Sequence, residues 1–168
     1  MVTGRLVLRR PSPADVDAIF RIHRDPAACA HNPDDMLATW AEAEERYGLW
    51  DAHWRRHGFG YWVVRRRADE LWAVGFCGLK VMWLAGREVL NLFYRLEPAA
   101  WGAGVATEAA TAVVGWAAVG APGRPVVARV RPLNVASAVV AARAGLVRDE
   151  RLDVEGADGL DHVFVRGW

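Results

Sequence analysis

Lysine is almost missing from this chain: Lys80 stands alone, and every other basic residue is arginine. That bias reads as a codon habit of the genome more than as a function. Cysteine is scarce as well. Cys29 and Cys77 have neither the spacing of a metal site nor the number for a disulfide framework, so both read as buried thiols. An excess of charge is absent, the net being +1 over 168 residues, which supplies no bulk field for nucleic acid or an anionic membrane. Long apolar runs are absent too; Gly or Arg interrupts each well short of a bilayer span, and the first residues lack the apolar core of a signal peptide. A cytoplasmic protein without nucleic-acid or membrane partners is expected. With 53% hydrophobic and 24% charged residues, and no repeat, low-complexity tract or linker, residues 1–168 read as one globular domain burying a two-sided core.

What is present is punctuated by glycine and proline. Arg5 to Arg10 alternates at period two and reads as an edge strand stopped by Pro11 and Pro13. Ser12 then stands as an N-cap, and Val16, Ile19, Phe20 and His23 trace one face of a short helix ending near Asp25-Pro26. After a loop through His31-Asn32-Pro33, apolar residues recur from Met36 at Trp40, Ala43, Tyr47, Trp50 and Trp54, predicting an amphipathic helix that ends before Gly58. On it His53 and His57 lie one turn apart; no third ligand is evident, so solvent exposure is expected rather than a metal. Phe59 to Val64 reads as a buried strand and Arg65 to Glu70 as its solvated turn; Leu71 to Trp83 and Arg87 to Leu96 complete an antiparallel meander. A helix from about Val105 to Val119, a strand from Val126 to Val130 and a helix from about Ala136 to Ala144 follow. Strands near Val147 to Leu152 and Leu160 to Arg166 finish the chain, joined by the turn Gly156-Ala157-Asp158-Gly159. The order predicts an α/β fold.

The chemistry concentrates at Trp101-Gly102-Ala103-Gly104-Val105-Ala106-Thr107-Glu108. A glycine turn running into a helix N-terminus presents unpaired N–H groups at the positive end of the helix dipole, which suits a phosphate or pyrophosphate. A Walker-type loop needs a lysine at its end, and Lys80 lies elsewhere. A dinucleotide site for NAD wants an acid at the end of the next strand, but no Asp or Glu occurs between Ala109 and Arg148; Arg129 leaves a faint NADP variant. That acid-free stretch carries Arg124, Arg129, Arg131, Arg143 and Arg148, which would favour a polyanionic ligand, although any one of them can equally decorate the surface.

The stretch Trp101 to Ala106 resembles the acyl-CoA-binding motif Q/R-x-x-G-x-G/A of the GNAT N-acetyltransferases, with Trp101 in first position. Tryptophan there, followed by Ala106-Thr107-Glu108-Ala109, is similar to the RimJ/RimL branch, which acetylates the N-termini of ribosomal proteins. Arg5 to Arg9, Gly75-Phe76-Cys77-Gly78, Tyr94 to Pro98, Asn134 to Ser137 and Ala144-Gly145-Leu146 fit the same branch in the same order. The resemblance implies the GNAT fold: a mixed, twisted and splayed sheet of about six to seven strands flanked by about four helices. It implies acetyl-CoA as the donor, without a metal, lying where the sheet splits. Gly102, Ala103, Gly104, Val105, Ala106 and Thr107 would hold the pyrophosphate, Leu96 and its neighbours the pantetheine arm, and Asn134 and Arg143 further parts of the donor.

For the chemistry, the resemblance implies that the strand at Phe93 and Tyr94 polarises the thioester carbonyl and that Ser137 protonates the departing sulfur. Asn134 and Ser137 are also good helix caps, and both roles can hold together. Relatives often carry a glutamate as base where Asn91 stands, leaving Glu97, Asp34 and Asp35 as nearby acids. An acceptor amine of low pKa is therefore expected, either a protein N-terminus or a small molecule. Tryptophans at 40, 50, 54, 62 and 83 wall its pocket or fill the core. Asn91 keeps open the alternative of an acyl-CoA sensor without turnover; succinyl-CoA as donor and a homodimer are also compatible with the family.

Overall fold

The alternation of the first strand survives folding: in β1 (Leu6–Arg9), Leu6 and Leu8 are buried and Val7 and Arg9 turn outward. The computed structural model describes residues 1–156 and 159–168, so Ala157 and Asp158 of the expected last turn lie outside the described residues. A short 3-10 turn, Pro13–Asp15, leads into α1 (Val16–His23). After a second such turn, Pro33–Asp35, comes α2 (Trp40–His57). This helix begins four residues later than the apolar spacing predicts at Met36, because Thr39 closes a capping box with Glu42. Local hydrogen bonds, and not the apolar stripe, decide where the first turn can start.

Next come β2 (Tyr61–Arg66), β3 (Asp69–Leu84) and β4 (Arg87–Leu96), antiparallel in sequence with β1 on the outer edge. Gly75 and Gly78 in β3 let neighbouring backbones approach closely. A Cβ at Gly75 would sit 2.4 Å from the Arg95 carbonyl oxygen, and one at Gly78 would sit 2.3 Å from that of Gly60. α3 (Val105–Gly120) then crosses to β5 (Val126–Val130), which lies parallel to β4. α4 (Val135–Arg143) follows, and the chain ends in β6 (Val147–Arg148), β7 (Val154–Gly156) and β8 (Gly159–Arg166). The order across the sheet is β1-β2-β3-β4-β5-β8-β6, with β7 also paired to β8.

Among the described residues eight strands stand where about six to seven are predicted, because the expected run from Val147 to Leu152 is broken. Asp149 accepts a hydrogen bond from the Arg151 amide and starts a 3-10 turn, Glu150–Leu152, between β6 and β7. α1 and α2 cover one face of the sheet through Ile19, Ile22 and Trp50 against Phe76; α3 and α4 cover the other through Ala109, Val113 and Ala141 against Leu90 and Leu92. Alanines on α3 let that helix lie close to the sheet.

Arg65 corrects the expected solvated turn. It lies in β2, its side chain largely buried, and its Nη2 donates to Asp15 Oδ1 at 2.8 Å. Asp15 is completely buried and also accepts from Arg9 Nη1 and Nη2 (2.9 and 2.7 Å) and from the Ser12 amide and hydroxyl (2.7 and 2.8 Å). Burial works to raise its pKa, but the hydrogen bonds from Arg9, Ser12 and Arg65 more than offset it and hold the carboxyl below its ordinary value of 3.8. A depressed native pKa means that this stabilisation is complete above about pH 4 and is lost as pH falls through the native value. Asp15→Ala would strand the arginines, so a loss of about 3 kcal/mol is expected, seen as a fall in Tm of roughly 10 °C in a melting scan at pH 7. An unchanged Tm would remove Asp15 from the stabilising network.

Candidate active site

The site begins where the sheet stops being continuous. β4 and β5 pair only at Leu90 with Val126 and Asn91 with Val127; beyond that, residues 92–96 of β4 and 128–130 of β5 diverge. The opening is a cleft of about 970 Å³. The glycine turn closes one end, the start of α4 forms a side, and the loop after α1 covers the other face. Tyr94, Leu96, Trp101, Gly102, Gly104, Val105, Ala106, Thr107, Asn134, Ser137 and Arg143 all line it. Ala103 does not, because its carbonyl turns away to accept from Arg5 Nη1 at 2.8 Å.

Gly102 and Gly104 both have φ of +73°, a left-handed backbone that glycine adopts without strain. Over Gly102 a Cβ would meet nothing within 4 Å, so the turn is open on that side. α3 starts directly after Gly104, and its first internal bond runs from the Glu108 amide to the Gly104 carbonyl. The amides of Val105, Ala106 and Thr107 therefore have no partner within the helix. Trp101 Nε1 ties the turn to the Leu96 carbonyl at 3.2 Å.

A brace behind this turn was not predicted. Glu108 accepts from Thr3 Oγ1 (2.5 Å), the Arg5 amide (2.8 Å) and Arg5 Nε (2.6 Å), so the N-terminal segment fixes the first turn of α3 from outside the cleft. Burial acts to raise the Glu108 pKa and these hydrogen bonds lower it, leaving the carboxyl below its usual range. A contact across more than a hundred residues leaves no local sequence signal.

At the cleft's middle, Tyr94 reaches from β4 to α4. Its hydroxyl donates to the Ser137 carbonyl at 2.8 Å and lies 2.6 Å from Ser137 Oγ. With the phenol proton on the carbonyl, the serine hydroxyl donates to the phenol oxygen. Burial pushes the Tyr94 pKa up, against the lowering effect of the Ser137 bond, to about 12, so the phenol keeps its proton at neutral pH. Asn134 Oδ1 caps α4 by accepting from the Ser137 amide at 3.0 Å, which fixes the serine on the first turn.

The late arginines are distributed differently from their sequence neighbourhood. Arg129 pairs with Asp161 of β8 (2.9 and 2.6 Å), Arg131 approaches the same carboxylate at 3.2 Å, Arg124 pairs with Glu88 and Arg148 with Asp153. Arg143, lining the cleft at the end of α4, has no carboxylate partner among the described residues. A scan for acids along the chain misses partners supplied by neighbouring strands.

On the face covered by α1 and α2, a second cavity of about 190 Å³ is lined by Asp35, Arg46, Trp50, His53, Tyr61 and Phe93; Phe93 lines the cleft too. Of the tryptophans considered as walls, Trp50 lines this cavity, Trp62 is core, and Trp40 and Trp83 are exposed. His53 is not the exposed residue expected: Nδ1 bonds the Phe59 carbonyl at 2.9 Å and Nε2 accepts from the Val81 amide at 3.2 Å, stitching α2 to β3. Among the described residues no group of three or more His, Cys, Asp or Glu could hold a metal ion, and no helix is long and apolar enough to cross a membrane. Glu97 is bound to Arg21 and accepts from Trp72 Nε1 at 3.1 Å, away from the cleft. Asn91 faces the cleft, with its Oδ1 buried and without a hydrogen-bond partner among the described residues.

The mixed sheet splits at the parallel β4–β5 junction, with a glycine-started helix at the mouth of the split, the arrangement that the resemblance to acetyltransferases implies. The chain belongs to the GNAT acetyltransferase family, residues 5–147 matching its acetyltransferase domain. Solved structures share the fold over nearly the whole length. A Bordetella pertussis protein described as a GnaT-family acetyltransferase is 21% identical with a TM-score of 0.83, over 99% of this chain and 98% of that one. An acetyltransferase of Agrobacterium tumefaciens is 25% identical with a TM-score of 0.81, over 99% and 92%. RimL, the ribosomal L7/L12 α-N-protein acetyltransferase solved with coenzyme A, is 16% identical with a TM-score of 0.81, over 99% and 96%.

Proposed function

We propose that this protein transfers an acetyl group from acetyl-CoA to a primary amine, a protein N-terminus or a small molecule, by direct attack of the amine on the thioester. The carrying observation is the cleft itself. It joins unpaired amides at the start of α3 to the hydrogen-bonded Tyr94–Ser137 pair. The residues fit such a donor: Gly102, Gly104 and the amides of Val105 to Thr107 suit a pyrophosphate, Arg143 supplies a cation with no carboxylate partner among the described residues, and the diverged edge of β4 near Leu96 can pair with an extended arm as with an added strand. The strand at Phe93 and Tyr94 polarises the carbonyl, and the Ser137 hydroxyl, held by Tyr94 and Asn134, returns a proton to the sulfur. Succinyl in place of acetyl would alter only the acyl end of this arrangement.

Asn91 cannot take a proton, and His23, pushed down to about 3 by burial and by Arg95 and Arg46, is a poor base. The acceptor must therefore supply its own neutral form. The expected pH profile of kcat/KM rises with unit slope to the pKa of the acceptor, about 7.7–8.0 for an α-amine and about 10.4 for a lysine side chain. Measuring CoA release with two acceptors of different pKa tests this; a break at one fixed pH for both would reveal an enzyme base. Asn91 also favours a second reading, an acyl-CoA sensor of the same fold, which CoA release with any amine dismisses. Calorimetric titration with acetyl-CoA and CoA, followed by an amine screen, tests the whole assignment.

A further inference from the structure

On the acceptor side, two arginines meet at one carboxylate. Arg95 on β4 has a side chain only 6% exposed and lines the cleft. Its Nη2 lies 3.2 Å from Asp35 Oδ2, and its Nη1 is buried with no hydrogen-bond partner among the described residues. Arg46 of α2 lies 3.1 Å from the other oxygen of the same carboxylate. Two guanidiniums thus share one acid between the two cavities, with Phe93 lining both. The remaining buried acceptors nearby are uncharged: Asn91 Oδ1 is an amide oxygen, and His23, whose Nδ1 bonds the Ile19 carbonyl, holds a bare and unpartnered Nε2. Arginine cannot shed its charge, and a buried cation with an unanswered N–H is costly.

Taking the acetyl transfer as given, we infer that the acceptor amine carries a carboxylate, which binds the Arg95 guanidinium with Arg46 beside it and makes these arginines determinants of acceptor choice. Asp35 then keeps one partner instead of two, and the substrate anion answers the other. The Arg95–Asp35–Arg46 chain as a purely structural clamp would show no preference among acceptors.

The test uses pairs that differ only in that charge: glycylglycine against glycylglycinamide, and Ala-Glu-amide against Ala-Gln-amide. Within each pair the α-amine has nearly the same pKa. In at least one pair the carboxylate member is expected to have kcat/KM about tenfold or more above its amide partner, as for a charged hydrogen bond. That ratio should fall towards one in Arg95→Gln, persist in part in Arg95→Lys, and shrink in Arg46→Gln, whose more exposed site tolerates replacement if Arg95→Gln does not fold. Equal use of both members of both pairs, or a preference that survives Arg95→Gln and Arg46→Gln, overturns the inference. Should none of the four release CoA, the same peptides are titrated calorimetrically in the presence of CoA. Tighter carboxylate binding that is lost in the variants upholds the anion site while the transfer assignment fails; equal or absent binding rejects the site.

Discussion

Gly104→Glu is expected to weaken acetyl-CoA binding by about a hundredfold or more in a calorimetric titration, with the fold retained. Two effects add. Residue 104 has φ of +73° as the N-cap of α3; with an L side chain the free turn relaxes from that conformation, and returning it on binding costs roughly 1–2 kcal/mol. The new carboxylate also stands beside the Val105, Ala106 and Thr107 amides, where it takes up the positive end of the helix and repels a pyrophosphate. Together they amount to about 3 kcal/mol, a little over a hundredfold. A Cβ at 104 lies 3.4 Å from Arg5 Nη2, so the glutamate can also draw Arg5 away from Glu108 and loosen the brace. Gly104→Ala separates the contributions: it keeps the strain without the charge, and its affinity should fall by roughly tenfold or less. Wild-type affinity in Gly104→Glu would move the donor site away from the glycine turn.

Ser137→Ala should lower kcat by about a hundredfold or more, the usual range for losing a positioned proton donor, while the acetyl-CoA Kd stays within a few-fold. The serine sits on the first turn of α4, where the amide that Asn134 caps is its own backbone N–H; removing the hydroxyl therefore leaves the cap in place. Tyr94→Phe keeps the ring in the core and deletes the bonds to the Ser137 carbonyl and Oγ. Its kcat should fall by less, about tenfold, if the phenol positions the serine. Tyr94, raised to about 12 by burial, is protonated throughout the working range and could itself act as the acid. In that event Tyr94→Phe becomes the more damaging variant. The order of the two kcat values thus assigns the proton donor, and a Ser137→Ala enzyme of normal kcat would remove the serine from the chemistry.

Local chemistry fixes the parts of this protein that repeat a short-range rule. Period two in Leu6 to Arg9, the glycine spacing at 102 and 104, and Asn134 ahead of Ser137 depend on backbone geometry and hydrogen bonds spanning a few residues. The strand, the turn and the cap are therefore legible from the chain alone, as was the GNAT family of the fold. Helix α2 shows the limit of such reading even locally, since Thr39 and Glu42 overrule the apolar stripe starting at Met36.

What the tertiary structure decides is how charges pair and where the cleft opens. Asp15 is a first-turn acid by sequence, yet it becomes the buried partner of Arg9 and Arg65 because two strands converge on it. Arg129 and Arg131 stand in a stretch free of acids and meet Asp161 from β8 across the sheet. Glu108 is braced by Thr3 and Arg5 from the far end of the chain. The sequence puts Arg95 near the pocket but not its partners; the pairing of β4 turns it towards α1 and α2 and leaves it sharing Asp35 with Arg46. The physical reason is common to all four: propensities and caps act over a few residues of chain, while electrostatic pairing acts through space. Only the folded sheet brings residues so distant in the chain within 3 Å or so of one another.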